Sequence, residues 1–438
     1  HANGDEEVSA IVIVCAGRTF VAGADIREFN KPPMRPYATE FITRIEGCQK
    51  PVVAGVHGTA LGGGLETALG CHYRIALTSA RVGLPEVTLG LLPGAGGTQR
   101  LPRLTGIPKA LDIMTSGKPI RAGEAREIGV VDRLLDGGDL VEATIAYAEE
   151  LVEQDAGPRR IRDMAVEPVD DGFFEEYRRS IAGKTRGLMS PERIIRCVEA
   201  SLTMPFDEAL AFEREQFLEC KESDQSAALR HAFFAERQVA KVPGLSKDIT
   251  PREVESVAVI GAGTMGAGIA YSCLSAGLPV TLLDNSEQGL KAGQDTIRKL
   301  YEGGVARGRL TEEQAESGLS RLHATEDLEA MAEVDLVIEA AFENMAIKQE
   351  IFARLDEICK RGVILATNTS TLDVDKIAAA TKRPEDVLGM HFFSPAHIMR
   401  LLEIVRGKET SADVIVTALA VAKRLRKLGV VVGNCYGF

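Results

Sequence analysis

At 438 residues the chain has room for two or three domains of about 150 residues each, which excludes a single small module. With 45% hydrophobic and 26% charged residues it has the composition of ordinary globular protein, not of a disordered or fibrous chain. Its 51 basic and 63 acidic side chains leave a net charge of −12, and without a long Lys/Arg block no nucleic-acid partner is expected.

The apolar runs, such as AIVIVCAG and EVDLVIEAAF, fall well short of the ~20 residues a membrane span requires, so no integral membrane insertion is expected. Eight cysteines without a CxxC pair read as free thiols in a reducing compartment. The chain opens at His1 rather than Met, in HANGDEEVS, which reads as the polar end of a helix. It stops at Phe438 after a strand and a glycine turn. The expectation is a fragment truncated at both ends, with any targeting signal out of view.

In chain order, Val- and Ile-rich runs at 10–15, 52–56, 73–77 and 129–135 alternate with helix-like periods at 37–49 and 108–115. That alternation predicts an α/β fold with a largely parallel sheet. Within it, ALGGGLETALG sets Gly62, Gly63 and Gly64 at the entrance of a helix carrying Glu66, and Glu86 follows 20 residues later on a loop after Pro85. Amides at such a turn, aligned with the helix dipole, can hold an oxyanion. Two carboxylates on separate elements can serve one reaction centre, one taking a proton from water while the other donates. Ordinary solvated glutamates are the competing reading.

From residue 140 to 242 the sequence turns Glu-, Arg- and Ala-rich, helical and without strand signals, and KVPGLSKDITPRE at 241–253 reads as a linker. A second region begins with VAVIGAGTMGAGIA, and strand-like runs follow at 280–284, 334–340, 363–367, 387–393, 401–405 and 430–432. The pattern predicts a doubly wound nucleotide-binding sheet. Gly261, Gly263 and Gly266 form a GxGxxG between a strand and a helix, and Asp284 ends the next strand 23 positions after Gly261. Gly261 permits the tight turn, Gly263 lets backbone approach a pyrophosphate, and Gly266 lets helix and strand pack closely. The helix N-terminus at Thr264 and Met265 offers free amides to the anion. An acid at 284, with no arginine beside it, favours the ribose of NAD over the 2′-phosphate of NADP.

Further on, His391 ends an apolar strand and Glu403 lies 12 residues later in the next one, across a Ser394-Pro395 turn. A histidine oriented by a carboxylate suits the removal of a hydroxyl proton as hydride leaves the same carbon. A satisfied core histidine, or a metal set of His391, His397 and Glu403, are the alternatives at this stage.

FVAGADIREF, ALGGGLETALGCHYRIA, RVGLPEVTLGLLPGAGGTQRLPR, GAGTMG, NTSTL and HFFSPAHIMRLLEIVRG together resemble the multifunctional enzymes of fatty-acid β-oxidation. That family has peroxisomal and bacterial branches and joins an enoyl-CoA hydratase/isomerase (crotonase-like) domain to an L-3-hydroxyacyl-CoA dehydrogenase. The resemblance covers essentially the whole chain. It implies a crotonase-like domain at 1–200, a helical connector and linker at 201–250, and a Rossmann-type NAD-binding domain at 251–438. It implies acyl-CoA thioester substrates and NAD as cofactor. The resulting expectation is hydration of a trans-2-enoyl-CoA to the (3S)-3-hydroxyacyl-CoA, then oxidation to the 3-ketoacyl-CoA. Residue by residue, it makes Glu66 and Glu86 the hydratase acids and the amides of Ala22 and Gly63 the oxyanion hole. In the second half it makes His391 the base, Glu403 its partner and Ser370 a neighbour of the substrate hydroxyl, and it sets Glu343 and Lys348 at NAD-contacting positions. Ser394 departs from the pattern, standing where single-function dehydrogenases commonly carry Asn. Family members also have strands before the segment starting at His1 and, beyond GNCYGF, an active-site Asn and a helical domain. The rival readings are a first domain that is mainly an isomerase, and a ligand-binding remnant with little turnover. Cytoplasmic residence is expected in a bacterium and peroxisomal residence in a eukaryote, and association with a thiolase subunit or with itself stays open.

Overall fold

A computed structural model describes residues 1–29, 31, 34–239, 241–246 and 248–438. They form two compact units, His1–Phe234 and Ala235–Phe438.

In the first unit, β1 (Ile11–Val14), β2 (Val52–Val56), β4 (Tyr73–Leu77) and β7 (Arg133–Leu135) form a parallel sheet in the order β1-β2-β4-β7. β3 (Thr59–Leu61), β5 (Arg81–Gly83) and β6 (Ile120–Arg121) form a small second sheet. Side chains alternate faces along a strand, so in β2 Val52, Ala54 and Val56 enter the main core while Val53 packs with Tyr147, Ala148 and Leu151 of the helix Leu140–Glu153. Both faces of this strand are covered, which is why it reads as a continuous apolar run.

In the second unit, β8 (Val257–Ile260), β9 (Val280–Leu283), β10 (Leu322–Thr325), β11 (Leu336–Glu339), β12 (Ile364–Thr367), β13 (Val387–Phe392), β14 (Leu401–Arg406) and β15 (Leu428–Gly433) make one sheet in the order β10-β9-β8-β11-β12-β13-β14-β15. The first six are parallel, β14 runs antiparallel to β13, and β15 is parallel to β14. Val257 and Val259 point into one core and Ala258 and Ile260 into the other, the mark of a sheet with helices on both faces. The strand order reverses between β8 and β11, and a ligand crevice is expected outside their carboxyl ends.

Several expectations need correction. The run 129–135 is strand only over Arg133–Leu135, because Gly129 turns the chain out of the helix Ala122–Glu127 at φ +80°. HANGDEEVS contributes a single 3-10 turn, Ala2–Gly4, rather than a helix end. The expected connector does not start at residue 201: the helix Phe206–Glu222 buries Phe206, Ala209, Glu213, Gln216 and Cys220, Cys220 among them in the first unit's core, and the division between units falls inside the helix Asp224–Gln238. Of the linker 241–253, Lys247 lies outside the described residues, as does Ala240 just before it. The strands β3, β5 and β6 carry too few residues to stand out by pattern, and β10 (LHAT) lacks the Val- and Ile-rich run of its neighbours. All eight cysteines are free. No helix among the described residues is long and apolar enough to cross a membrane.

Candidate active sites

The first constellation is built around the helix Gly63–Gly70. Gly64 is required there by close approach: a Cβ at that position would lie 2.0 Å from the Val21 carbonyl oxygen. This brings the strand-like segment carrying Ala22 against the helix entrance, where Val21 bridges Ala60. The amide N–H groups of Ala22, Ala24 and Gly63 have no acceptor among the described residues, as an oxyanion hole requires, and it is the Ala24 nitrogen that lies beside Gly63, 3.9 Å from where a Cβ on that glycine would stand.

Glu66, in the first turn of that helix, is 3% exposed. Its Oε1 accepts from the amides of Ala95 (2.7 Å) and Gly97 (2.9 Å). Burial raises its pKa, and the two amides and the Arg100 guanidinium oppose that rise. Glu86 opens the 3-10 turn Glu86–Leu89, and its Oε2 is sealed from solvent with no hydrogen-bond partner among the described residues. Burial, then the charge of Glu66, pushes its pKa well above the ordinary carboxylate range. Both carboxyls converge on the glycine turn. A Cβ on Gly62 would stand 2.8 Å from Glu86 Oε1, and one on Gly63 would stand 4.0 Å from Glu66 Oε2.

Sequence reasoning missed Glu213. Its carboxyl is 0% exposed, and it accepts from the Gly96 amide at Oε1 (2.6 Å) and from the Thr98 amide (3.0 Å) and hydroxyl (2.5 Å) at Oε2. A signal was present: residues 206, 209, 213, 216 and 220 form the buried stripe of their helix, so a glutamate stands where an apolar side chain is expected.

The second constellation lies at the carboxyl ends of the second unit's strands. Gly261 has φ +97°, and a Cβ there would meet the Ala340 carbonyl oxygen at 2.6 Å, while one on Gly266 would lie 1.7 Å from the Gly261 carbonyl oxygen. A Cβ on Gly263 would meet nothing within 4 Å, so that backbone faces open space. The helix Thr264–Ser275 starts at this turn, and the amides of Thr264 and Met265 have no acceptor among the described residues. Asp284 follows β9 beside the turn, with Oδ2 accepting from the Ala262 amide at 2.8 Å. These features fit a dinucleotide: a tight turn, an open backbone for the pyrophosphate and an acid at the end of the next strand, hydrogen-bonded to the turn.

His391 and Glu403 are directly paired across β13 and β14, with His391 Nδ1 2.7 Å from Glu403 Oε2. The carboxylate is the acceptor, so Nδ1 carries the proton and Nε2 is left free. His397 instead stacks edge-on to Tyr271 at 5.8 Å, and no three His, Cys, Asp or Glu side chains among the described residues gather to hold a metal ion.

Glu343 Oε1 accepts from the Thr369 hydroxyl (2.6 Å) and from the Ser370 amide (2.8 Å) and hydroxyl (3.1 Å), so Ser370 and Glu343 are neighbours. Burial opposes ionisation of Glu343, yet these hydrogen bonds and the charge of Lys348 hold its pKa below the ordinary range. Lys348 is enclosed. It is 1% exposed, with Nζ 2.7 Å from Glu339 Oε1 and 3.5 Å from Glu343 Oε2. Its ammonium therefore lies behind Glu343 rather than at an open surface, because the helix Met345–Ile358 carries it on its buried stripe with Phe352 and Leu355.

The family model for enoyl-CoA hydratase/isomerase matches residues 1–171, and that for the NAD binding domain of 3-hydroxyacyl-CoA dehydrogenase matches residues 256–435. The peroxisomal bifunctional enzyme of Cavia porcellus is 44% identical over 446 aligned residues, covering 100% of this chain and 61% of that protein. The Homo sapiens protein of the same name is 43% identical, with 99% and 61% covered. Among solved structures, the 3-hydroxybutyryl-CoA dehydrogenase of Escherichia coli K12 is 43% identical with a TM-score of 0.42, covering 43% of this chain and 40% of that one. The chain thus spans 61% of the length of the peroxisomal relatives named here.

Proposed function

We propose that the chain is a multifunctional enzyme of fatty-acid β-oxidation, a reading supported by its hydratase/isomerase and dehydrogenase matches and its peroxisomal relatives, and that it hydrates a trans-2-enoyl-CoA to the (3S)-3-hydroxyacyl-CoA and oxidises this with NAD to the 3-ketoacyl-CoA. The observation that carries the hydratase reading is the unequal treatment of two carboxyls at one glycine turn. Glu66 receives two amide donors, which favour its carboxylate, whereas Glu86 Oε2 is sealed without a partner, which favours its acid form. Glu66 takes a proton from water as the water oxygen bonds to C3, and Glu86 delivers a proton to C2. The amide of Gly63, with one from the 22–24 segment beside it, bears the charge that builds on the thioester oxygen. An enoyl isomerase needs one carboxylate to move a proton between C2 and C4, so the second carboxyl favours the hydratase.

In the second half, NAD when bound supplies a hydride acceptor. The Thr264 and Met265 amides and Asp284 are the groups offered to its pyrophosphate and ribose, and Glu343 adds a contact that Lys348 supports from behind. His391 Nε2 takes the hydroxyl proton, and Glu403 stabilises the imidazolium and fixes the ring. Ser370 is a neighbour of the same hydroxyl. Peroxisomal residence in a eukaryote, or cytoplasmic residence in a bacterium, belongs to the same proposal.

The test supplies crotonyl-CoA and NAD to the full-length protein and follows enoyl absorbance together with NADH. Loss of the enoyl signal followed by NADH formation is expected. A folded protein that consumes no enoyl thioester overturns the hydratase half, and one that forms no NADH from 3-hydroxybutyryl-CoA overturns the dehydrogenase half.

A further inference from the structure

Four successive amides in the loop that opens the helix Gly97–Thr105 are divided between two buried carboxyls. Those of Ala95 and Gly97 donate to Glu66, while those of Gly96 and Thr98 donate to Glu213. Arg100, paired with Glu46 at 2.7 Å, holds the Ala95 carbonyl from the same side at 3.2 Å. Gly96 stands at φ +98° and leaves room for that guanidinium, since a Cβ there would lie 1.8 Å from Arg100 Nη1. The backbone is thus fixed amide by amide. Removing one carboxyl strands two buried donors, which the turn can satisfy only by rotating, and rotation withdraws the donors of the other carboxyl.

We infer that Glu213 is a positioning residue of the enoyl site: by holding the Gly96 and Thr98 amides it aims the Ala95 and Gly97 amides at Glu66, and it stands as a third carboxyl facing the pair Glu66 and Glu86. This rests on the hydratase reading above and adds to it a residue from a helix outside the 1–171 span of the hydratase/isomerase match. The ionisable groups around Glu213 are Glu66, on which Arg100 acts in turn, Glu86 and the Cys197 thiol, whose pKa is raised by burial and then by Glu213. Burial, then the charge of Glu66, lifts Glu213 to about 8. Above that pH its charge opposes ionisation of Glu86 and keeps the proton donor loaded. A neutral side chain at 213 removes that opposition, so Glu86 loses its proton at lower pH.

The test measures crotonyl-CoA hydration across pH with the full-length protein. Wild type comes first: no hydration by the folded protein overturns the reading beneath the proposal and the proposal with it. If wild type hydrates, Glu213→Gln should lower kcat about tenfold or more through misplacement of Glu66, with KM for crotonyl-CoA little changed. The alkaline limb of the kcat profile should move to lower pH. Glu213→Asp should recover part of both effects. Thr98→Val keeps the Thr98 amide but removes the hydroxyl that donates to Glu213 and accepts from Gln99 Nε2 at 2.9 Å; it should shift the profile in the same direction by less, and it decides the matter if Glu213→Gln does not fold. Variants that melt at lower temperature yet keep the wild-type kcat and pH profile assign Glu213 a merely structural role and overturn the proposal.

Discussion

The two constellations solve the problem of placing an acid in opposite ways. In the second unit, His391 and Glu403 meet because they face each other across two antiparallel strands, so a hairpin register alone brings them to 2.7 Å. In the first unit, Glu66, Glu86 and Glu213 come from three elements, and Glu213 lies 115 and 117 positions from the amides it holds. The hairpin pair keeps partial contact with solvent, at 16% and 19% side-chain exposure. The acids of the first unit depend on burial, which raises the pKa of all three. Local pairing makes a base that is robust to its surroundings, whereas buried assembly makes an acid and a base whose difference depends on every neighbouring donor.

The largest effects should sharpen that contrast. Glu66→Gln and Glu86→Gln should each lower hydration of crotonyl-CoA by ~10²-fold or more while oxidation of 3-hydroxybutyryl-CoA continues. Absorbance of the enoyl thioester checks the first and NADH formation the second. A folded variant that hydrates near the wild-type rate leaves that buried glutamate a structural role only.

Both units also hold a buried cation against a carboxylate, Arg100 with Glu46 and Lys348 with Glu339, each at 2.7 Å and almost wholly buried. Arg100→Met and Lys348→Met should each cost about 3–5 kcal/mol of stability, since a lone buried charge is left behind. Denaturant unfolding measures this. Arg100→Met should also impair hydration, because Arg100 grips the turn that feeds Glu66, whereas Lys348→Met should leave hydration intact in the folded fraction. Equal loss of hydration in both variants breaks the comparison.

Much of this was legible in the sequence, for reasons that differ between the halves. The order strand, GxGxxG, helix and acid is local, so the pattern around Gly261 and Asp284 predicts a turn whose geometry follows from what a Cβ would strike. The spacing of His391 and Glu403 is likewise a hairpin's. The pairing of Glu66 with Glu86 stood open on spacing alone, because nothing local ties residue 66 to residue 86. Glu213 was passed over because a Glu- and Arg-rich helix reads as a connector until its buried stripe is drawn. For Lys348 resemblance gave the position, and the stripe it shares with Phe352 and Leu355 gives its direction.

A smaller effect is expected at Asp284. Asp284→Ala should weaken NADH binding about tenfold, the loss of one or two charged hydrogen bonds of about 1.5 kcal/mol or more, and should narrow the preference over NADPH. Titration of nucleotide fluorescence reads both, and undiminished discrimination removes the ribose role from this acid.

The central claim, two independent reaction centres in one chain, is tested most directly by crossing Glu86→Gln with His391→Ala in the full-length protein. Each variant is given either crotonyl-CoA or 3-hydroxybutyryl-CoA, with NAD. Glu86→Gln should form NADH from the hydroxy thioester but scarcely any from the enoyl thioester. His391→Ala should consume the enoyl thioester normally and form no NADH from either. A single substitution that abolishes both half-reactions in a folded protein, or an active His391→Ala dehydrogenase, contradicts the account.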